Sequence, residues 1–303
     1  MRRLILINPR AGRGAALRTW ERLARRVGPD LEVAVPRDCQ ETRAMARLAV
    51  RAGYERVIGV GGDGTLNAVA CELAGSNLIL GAVPAGTGND LCRNLGLPAL
   101  PEEALAVALG ESHRTIDLGV VGQERPFLNV ASCGFDAEVA AAAGRMPAGL
   151  GGTMPYLLGA LSTLRGFRPR MAEVLVDGQR IVQPCTLVAV ANGPCYGGGM
   201  RIAPRACPDD GLLEVILAGS LSRWELVRLL ARVYHGGHID HPQVRLLRGE
   251  RVEVRMEGCR RSQLDGEPLE LERLEVRLWR RALRVAVPPA LASPTPVSGR
   301  SGA

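Results

Sequence analysis

Two short apolar runs that end abruptly in glycine constrain the fold of this chain more than any other feature. Residues 57–67 read VIGVGGDGTLN and residues 83–90 read VPAGTGND. Apolar runs of this length predict buried parallel strands, and the glycines predict turns where backbone N–H groups approach a ligand without an intervening Cβ. Such turns bind phosphate when a helix begins directly after them. Residues 66–73 have a helical pattern, so the first loop predicts a phosphate site.

Asp63 lies within the first glycine loop and makes this prediction more specific. A carboxylate repels phosphate unless a divalent cation lies between the two groups. An acid at this position therefore indicates Mg²⁺ bound together with a nucleotide. A glycine-rich turn without a ligand is the simplest alternative, and a second loop of the same kind makes that alternative weaker.

Two other nucleotide-binding patterns fit the first loop less well. Residues 59–64 also fit G-x-G-x-x-G, but a Rossmann site would place an acid at the end of the next strand, where residues 84–87 read PAGT. A P-loop requires lysine before its Ser or Thr, and all 38 Lys or Arg residues of this chain are arginine. The absence of lysine excludes P-loop and Schiff-base chemistry, and the Rossmann pattern remains a weaker alternative.

Composition limits the class of partner. The net charge of +7 suits a protein that meets anions such as nucleotides or acidic lipids. Only 3% of the residues are aromatic, too few for base-stacking platforms, so we expect no nucleic-acid partner. The 8 cysteines include no C-x-x-C pair, which predicts free thiols in a reducing compartment.

The location of the protein is predicted from its apolar segments. The first residues run straight into a strand pattern, without the apolar region and cleavage site of a signal peptide. No run approaches the roughly 20 apolar residues that cross a bilayer. We therefore expect a cytoplasmic protein that visits the inner face of the membrane transiently. Residues 145–168 mix apolar residues with terminal arginines and suit either an anionic membrane surface or a core helix.

The order of elements predicts a doubly wound α/β nucleotide-binding domain followed by an antiparallel β-sandwich or barrel domain. Strands and helices alternate through residues 1–120, and strands dominate residues 121–281. Strand 282–288 is expected to complete the first domain, and residues 289–303 to form a disordered tail. Predicted strands are 3–7, 31–35, 57–60, 78–83, 115–121, 126–132, 172–177, 186–191, 212–217, 243–247, 251–256, 274–278 and 282–287. Predicted helices are 15–26, 41–52, 66–73, 102–109, 153–165 and 222–234.

An ordered set of motifs resembles the diacylglycerol kinase catalytic-domain family, which includes bacterial lipid kinases and, more distantly, sphingosine and ceramide kinases. The first motif alone is also similar to NAD kinases and phosphofructokinases, but the set in order is specific. The matching segments are 8–12 (NPRAG), 61–67 (GGDGTLN), 84–93 (PAGTGNDLCR), 116–119 (IDLG), 129–137 (NVASCGFDA), 191–193 (ANG), 204–212 (PRACPDDGL) and 264–267 (LDGE).

The resemblance implies a NAD kinase/diacylglycerol kinase-like fold in which ATP lies between the two domains. It implies that Asp63 and Asp117 hold the catalytic Mg²⁺ and that Glu267 accepts the proton of a lipid hydroxyl. A hairpin turn is the alternative for the segment that contains Glu267. Nucleotide contacts are implied for Asn8, Pro9, Arg10, Ala11, Gly12, Gly61, Gly62, Asp63, Gly64, Thr65, Leu66, Asn67, Thr87, Asn89 and Asp90.

The resemblance also implies a structural Mg²⁺ held by the Asp210 carboxylate and by the carbonyl groups of Cys207 and Leu212. An Asp-Asp-Gly turn without metal is the alternative. A threonine that family members place after the second strand is Pro36 here, so no contact is assigned to it. Three histidines at 235, 238 and 241 have spacing that permits zinc, but similar lipid kinases carry such a stretch without an assigned metal.

The function implied is ATP-dependent phosphorylation of a lipid hydroxyl, with diacylglycerol as the expected acceptor. Phosphatidylglycerol, a sphingoid base or a polyprenol remain alternatives, as do NAD kinase and an ATP-binding regulator without catalysis. The implied partners are the lipid, an anionic membrane surface and a second copy of the chain as a homodimer.

Overall fold

Parallel strands flanked by helices form the N-terminal half of the protein, in a computed structural model that describes residues 2–27, 31–146 and 154–292. Strand order in this part of the sheet is β2-β1-β3-β4, with every neighbouring pair parallel. The strands are β1 (Arg3–Ile7), β2 (Leu31–Ala34), β3 (Arg56–Gly61) and β4 (Ile79–Pro84). The helices are α1 (Ala15–Leu23), α2 (Cys39–Arg51), α3 (Asp63–Leu73), α4 (Asp90–Asn94) and α5 (Pro101–Leu109).

The remaining chain is rich in antiparallel strands. They are β5 (His113–Val121), β6 (Arg125–Phe127), β7 (Val130–Gly134), β8 (Arg170–Val176), β9 (Gln179–Cys185), β10 (Leu187–Ala191), β11 (Leu213–Ala218), β12 (Val244–Gly249), β13 (Arg251–Met256), β14 (Arg261–Leu264), β15 (Glu267–Glu270) and β16 (Arg273–Ala286). The helices are α6 (Phe135–Ala143), α7 (Met154–Gly166) and α8 (Arg223–Val233). A six-stranded sheet runs β12-β11-β10-β7-β14-β15.

Strand β16 joins the two halves of the molecule. Its final residues pair in parallel with β4, and its first residues pair antiparallel with β13, so the larger sheet continues as β4-β16-β13-β8-β9. The antiparallel half of this sheet packs on the six-stranded sheet around a shared apolar core that includes Phe127, Val174, Val215 and Val254. The observed architecture confirms the predicted fold class.

Several elements differ from the sequence predictions. Helix α3 begins at Asp63 rather than at residue 66, so Asp63 lies in the first helical turn. Predicted strand 126–132 is divided into β6 and β7, and predicted strands 274–278 and 282–287 are one strand, β16. Strands β9, β14 and β15 and helices α4 and α6 were not predicted.

The predicted disordered tail is wrong for its first residues. Pro289–Leu291 forms a 3-10 turn, and Ala292 packs against the core of the N-terminal half because both segments are apolar. Residues 293–303 lie outside the described residues, as do residues 147–153 of the segment considered for membrane contact. All 8 cysteines are free thiols, as predicted. Among the described residues, no helix is both long and apolar enough to cross a membrane.

Candidate active site

Two glycine loops meet where the neighbouring strands β3 and β4 end. Gly62 follows β3 and Gly86 follows β4, and a Cβ on Gly86 would lie only 2.5 Å from the Cα of Gly62. The two backbones can approach this closely only because neither residue has a side chain. The motifs of the sequence analysis therefore form one continuous surface.

A third loop, after β1, closes the same surface. The Asn8 side-chain amide donates to Thr65 Oγ1 at 2.9 Å, which ties the loop to the first turn of α3. Gly12 has a φ of +56° and contacts the second glycine loop, because a Cβ there would lie 2.4 Å from the carbonyl oxygen of Ala85. A larger residue at position 12 would force these loops apart.

These loops form one wall of a cleft of about 440 Å³ between the two halves of the molecule. The first N–H groups of a helix have no acceptor within the helix, so the start of α3 brings hydrogen-bond donors and its positive dipole end to this cleft. The residues that line it are Asn8, Ala11, Gly12, Cys39, Gly62, Asp63, Gly64, Thr65, Asn67, Gly86, Thr87, Gly88, Asp90, Tyr156, Gly197, Gly198, Asp265, Gly266 and Glu267.

Asp63 uses one carboxylate oxygen for the protein and presents the other to the cleft. Its Oδ1 accepts the backbone N–H groups of Asp90 at 2.5 Å and Leu91 at 3.4 Å, which fixes the start of α4. Within the described residues, Oδ2 accepts no hydrogen bond. An oxygen of this kind beside a phosphate-binding loop suits a hard cation such as Mg²⁺.

Asp90 connects the nucleotide loops to the second half of the molecule. Its two carboxylate oxygens accept the backbone N–H groups of Gly198 at 2.8 Å and Gly199 at 2.7 Å. Burial raises the pKa of Asp90, and the neighbouring carboxylate of Asp63 raises it further. Because both oxygens hold amides, Asp90 positions the loop at residues 197–199.

The turn that carries Glu267 is fixed by the residue two positions earlier. Asp265 has a φ of +48°, and its carboxylate accepts the backbone N–H groups of residues 128–130 at 2.8–2.9 Å. Asn67 in α3 donates to the same carboxylate at 2.7 Å. Burial raises the pKa of Asp265 to about 6. The turn is thus bonded both to the β-sandwich and to the first nucleotide loop.

A second, buried hydrogen-bond network also holds the Asp265–Gly266 turn. Gln263 accepts the N–H of Gly266 at 2.6 Å and donates to Ser132 Oγ at 2.6 Å. Ser132 and Tyr196 in turn donate to the carboxylate of Asp136, Tyr196 at 2.9 Å. Burial raises the pKa of Asp136 to about 6.

Glu267 lies across the cleft from the start of α3. Its Oε1 is 4.0 Å from the position of a Cβ on Gly64. The Tyr156 hydroxyl donates to the carbonyl of Gly266 at 3.2 Å, and its pKa is raised by burial and then by the carboxylates of Glu267, Asp90 and Asp63. The cleft therefore has phosphate-type loops on one wall and an exposed carboxylate on the other.

Some residues named in the sequence analysis lie elsewhere. Leu66 is fully buried and its N–H donates to the Gly62 carbonyl at 3.0 Å, so it belongs to the core. Asn89 shapes its own loop, because its side chain bonds both the N–H and the carbonyl of Gly86 at 3.1 Å. Pro9, Arg10 and Gly61 support the loops but do not line the cleft.

Asp117 is buried at the junction of the two sheets and does not line the cleft. Its carboxylate accepts the N–H groups of Arg281 at 2.6 Å and Gly211 at 2.9 Å. Burial raises its pKa. The arrangement favours a structural role for Asp117 over direct contact with a nucleotide-bound metal.

The segment expected to hold a structural Mg²⁺ has a turn geometry. The N–H of Asp210 donates to the Cys207 carbonyl at 3.4 Å, the N–H of Leu212 donates to Asp210 Oδ1 at 3.1 Å, and the guanidinium of Arg248 pairs with Asp210 Oδ2. The Cys207 carbonyl and both carboxylate oxygens of Asp210, which were expected to bind Mg²⁺, therefore already have protein partners. A cation there would have to share the Asp210 carboxylate with Arg248.

Several residues of the cleft were not predicted from the sequence. Tyr156 comes from α7, which carries no recognisable motif, and Gly197 and Gly198 come from residues 194–200 (PCYGGGM), which include no charged side chain. Asp265 was part of a quoted motif, and its acidic side chain directly before a turn glycine was a usable signal. Its four hydrogen-bond donors come from distant segments, so only the fold reveals its role.

Both halves of the chain are similar to known protein families. Residues 2–121 match the description "Diacylglycerol kinase catalytic domain", and residues 129–287 match "YegS C-terminal NAD kinase beta sandwich-like domain". A protein named diacylglycerol kinase in Mycobacterium tuberculosis is 36% identical over 264 residues, covering 84% of each chain. The chain belongs to the diacylglycerol kinase catalytic-domain family.

Other relatives extend the similarity along almost the whole chain. A protein named probable lipid kinase YegS-like in Chromohalobacter salexigens is 34% identical over 295 residues, covering 94% of this chain and 92% of that one. A putative diacylglycerol kinase from Bacillus anthracis has the same fold, with a TM-score of 0.77, 23% identity and coverage of 96% and 98%. The protein is an ATP-dependent lipid kinase of this family.

Proposed function

We propose that the protein transfers the γ-phosphate of Mg²⁺-bound ATP to the hydroxyl of diacylglycerol, giving phosphatidic acid. The observation that carries the proposal is the opposition of Glu267 to the phosphate-type loops across one cleft. Relatives named diacylglycerol kinase support the choice of acceptor.

In this proposal the ATP phosphates lie on the loops at Asn8–Gly12, Gly62–Thr65 and Gly86–Gly88. Backbone amides at the start of α3 stabilise the negative charge of the transferring phosphoryl group. Asp63 Oδ2 would hold Mg²⁺, which supplies charge neutralisation between the phosphates when bound. Thr87 adds a hydroxyl at the same wall of the cleft.

Glu267 accepts the proton of the lipid hydroxyl as the hydroxyl oxygen bonds to the γ-phosphorus and the bond from that phosphorus to the oxygen of the leaving ADP breaks. Its carboxylate is positioned by the Asp265–Gly266 turn, and that turn is held by hydrogen bonds from two halves of the molecule. A base held in this way keeps its distance from the phosphate wall during the reaction. The Tyr156 hydroxyl, bonded to the same turn, helps to fix the entrance that the acceptor would use.

An apolar cavity of about 80 Å³ supports a lipid acceptor. It lies behind the loop at residues 196–200: Tyr196 and Met200 line the cavity, whereas Gly197 and Gly198 line the cleft. An acceptor with its hydroxyl at Glu267 would thus have apolar surface nearby for an acyl chain.

The decisive experiment incubates the purified protein with labelled ATP and, in separate reactions, dispersed diacylglycerol, phosphatidylglycerol, a sphingoid base, a total lipid extract and NAD. We expect label in phosphatidic acid that depends on Mg²⁺. Label in another lipid would replace the proposed acceptor, label only in NADP would identify a NAD kinase, and ATP binding without product would identify a regulator.

A further inference from the structure

Helix α8 has two apolar faces, although only one of them packs on the protein. Its inner face, formed by Leu226, Leu229, Leu230 and Val233, covers the apolar cavity behind the loop at residues 196–200. Its outer face carries some of the most exposed large apolar side chains of the described residues. Trp224 is 78% exposed, Tyr234 is 46% exposed and Val227 is 41% exposed.

These outer residues form a continuous stripe. Trp224, Val227, Ala231 and Tyr234 are spaced by three, four and three positions, and all are exposed. On a helix with 3.6 residues per turn they fall within an arc of about 80°. A helix that needed only to cover the core would have polar residues on this side.

Arginines border the stripe on both sides. Arg223 lies on one side and Arg228 and Arg232 on the other, and all three are exposed. Glu225 is the only acid of α8, and its carboxylate accepts the N–H of Ser222 at 2.8 Å as part of the helix cap. Within the described residues, Arg223 and Arg232 form no ion pair. The outer face of α8 is therefore apolar in the centre and positive at both edges.

We propose that this face docks on the surface of an anionic membrane. Trp and Tyr side chains partition to the headgroup level of a bilayer, and neighbouring arginines attract anionic lipid phosphates with about 1 kcal/mol each. The inference rests on the proposed function, because it concerns how a lipid kinase reaches its acceptor. Charge complementarity favours a lipid surface over a second copy of this basic protein.

The position of α8 relative to the cleft agrees with this orientation. Its inner face covers the cavity lined by Tyr196 and Met200, and the same loop contributes Gly197 and Gly198 to the cleft. When α8 lies on the bilayer, the loop at residues 196–200 separates the docked helix from the cleft. An acceptor molecule would then have a short path from the bilayer surface to Glu267.

The test measures binding to sedimenting vesicles of phosphatidylcholine with and without phosphatidylglycerol, in the absence of ATP. The variant is the double substitution W224S/Y234S, and the matched controls are L161S in α7 and L48S in α2, which remove leucines 56% and 61% exposed. We expect the double variant to bind anionic vesicles at least about tenfold more weakly, a loss of about 1.4 kcal/mol. Both controls should bind like the unchanged protein.

A second measurement reports on the arginines and on Trp224 directly. The double substitution R228E/R232E should weaken binding and reduce its dependence on salt. Anionic vesicles should shift the tryptophan emission of the unchanged protein to shorter wavelength, and W224S should lose that shift while Trp20 and Trp279 remain. Unaltered binding by W224S/Y234S, or an equal loss in L161S, would overturn the proposal.

The outcomes separate this inference from the proposed function. Vesicle binding requires no turnover. If the protein binds vesicles through α8 but phosphorylates no lipid, the proposed function is wrong and the docking face stands. If the protein phosphorylates dispersed short-chain diacylglycerol but does not bind anionic vesicles, the proposed docking face is wrong and the proposed function stands. If W224S/Y234S changes the oligomeric state and leaves vesicle binding unchanged, α8 is a contact between copies and the proposal is wrong.

Discussion

At the scale of single residues, aspartates organise the cleft by accepting backbone amides. Asp63 fixes the start of α4, Asp90 fixes the loop at residues 197–199, and Asp265 fixes the turn before Glu267. Each bond of an ionised carboxylate to an N–H group contributes more than a neutral hydrogen bond. The same side chains therefore create the shape of the site and its negative charge.

The first prediction separates Asp63 from Glu267. In Glu267→Gln, turnover should fall by about 10²- to 10⁴-fold, because proton transfer is lost while the nucleotide loops are unchanged. In Asp63→Asn, turnover and the affinity for Mg²⁺-ATP should both fall. Initial rates and calorimetric titration of ATP measure the two effects. Glu270→Gln, an exposed acid on the same strand, is the control and should retain activity. Near-normal turnover in Glu267→Gln would remove Glu267 as the base.

The second prediction concerns Asp136 and pH. Its folded pKa of about 6 lies above the ordinary value, so the folded state binds a proton more tightly than the unfolded state. Its hydroxyl partners Ser132 and Tyr196 can reverse their hydrogen bonds when the carboxyl is protonated. The contribution of Asp136 to the unfolding free energy is thus greatest below about pH 4 and is lost as pH rises through 6, by up to about 3 kcal/mol.

Urea unfolding of the protein and of Asp136→Asn at pH 4.5 and pH 7 tests this sign. Asparagine cannot ionise, so the variant should gain stability relative to the unchanged protein at the higher pH. A relative gain at the lower pH would show that the ionised carboxylate is the form preferred by the fold.

At the scale of elements, the site is made where strands end. Parallel strands bring their carboxyl ends to one edge, so β1, β3 and β4 place three loops side by side. The hairpin between β14 and β15 approaches from the other half of the molecule and supplies Glu267. Function thus depends on loop contacts between elements that are far apart along the chain.

The third prediction uses the closest of these contacts. Gly86→Ala should prevent the two glycine loops from meeting, since a Cβ would lie 2.5 Å from the Gly62 backbone. We expect loss of ATP binding, measured calorimetrically, and a lower melting temperature. Gly166→Ala is the control, because a Cβ at the end of α7 has nothing within 4 Å. Normal ATP binding by Gly86→Ala would show that the loops can separate without consequence.

Sequence patterns predicted the elements that bury a regular apolar face and missed those that do not. The loops after β3 and β4 were predicted because apolar runs ended in glycine, whereas the loop after β1 was implied only by the family resemblance of residues 8–12. Strands β14 (RSQL) and β15 (EPLE) contain mainly polar residues, and they are held by pairing with each other and with β7 rather than by propensity. The two predicted strands near residue 280 form one strand with an irregular register between Trp279 and Leu283, where Asp117 accepts the N–H of Arg281.

At the scale of the whole molecule, β16 makes the two halves interdependent. Its first residues belong to the β-sandwich, and Arg284 and Val285 pair with β4 of the nucleotide-binding half. Asp90, Asp117 and Asn67 add hydrogen bonds between the halves. Neither half can unfold without breaking the strand that the other one uses.

The fourth prediction follows from this shared strand. Calorimetric unfolding should show a single transition, and Mg²⁺-ATP should raise its midpoint without dividing it. Asp117→Asn, which weakens the hold on Arg281, should lower the midpoint more than the exposed control Asp240→Asn. Two resolved transitions, of which ATP moved only one, would mean that the halves are independent domains.

The same strand has a consequence for the synthesis of the protein. The segment of β16 that pairs with β4 follows its partner by roughly 200 residues, so at about 5–20 residues per second it leaves the ribosome some 10–40 s later. During that interval the edge of β4 that β16 will cover has no partner strand. The nucleotide-binding half is therefore completed only after the β-sandwich has been synthesised, and until then this edge of β4 is open to pairing with other chains.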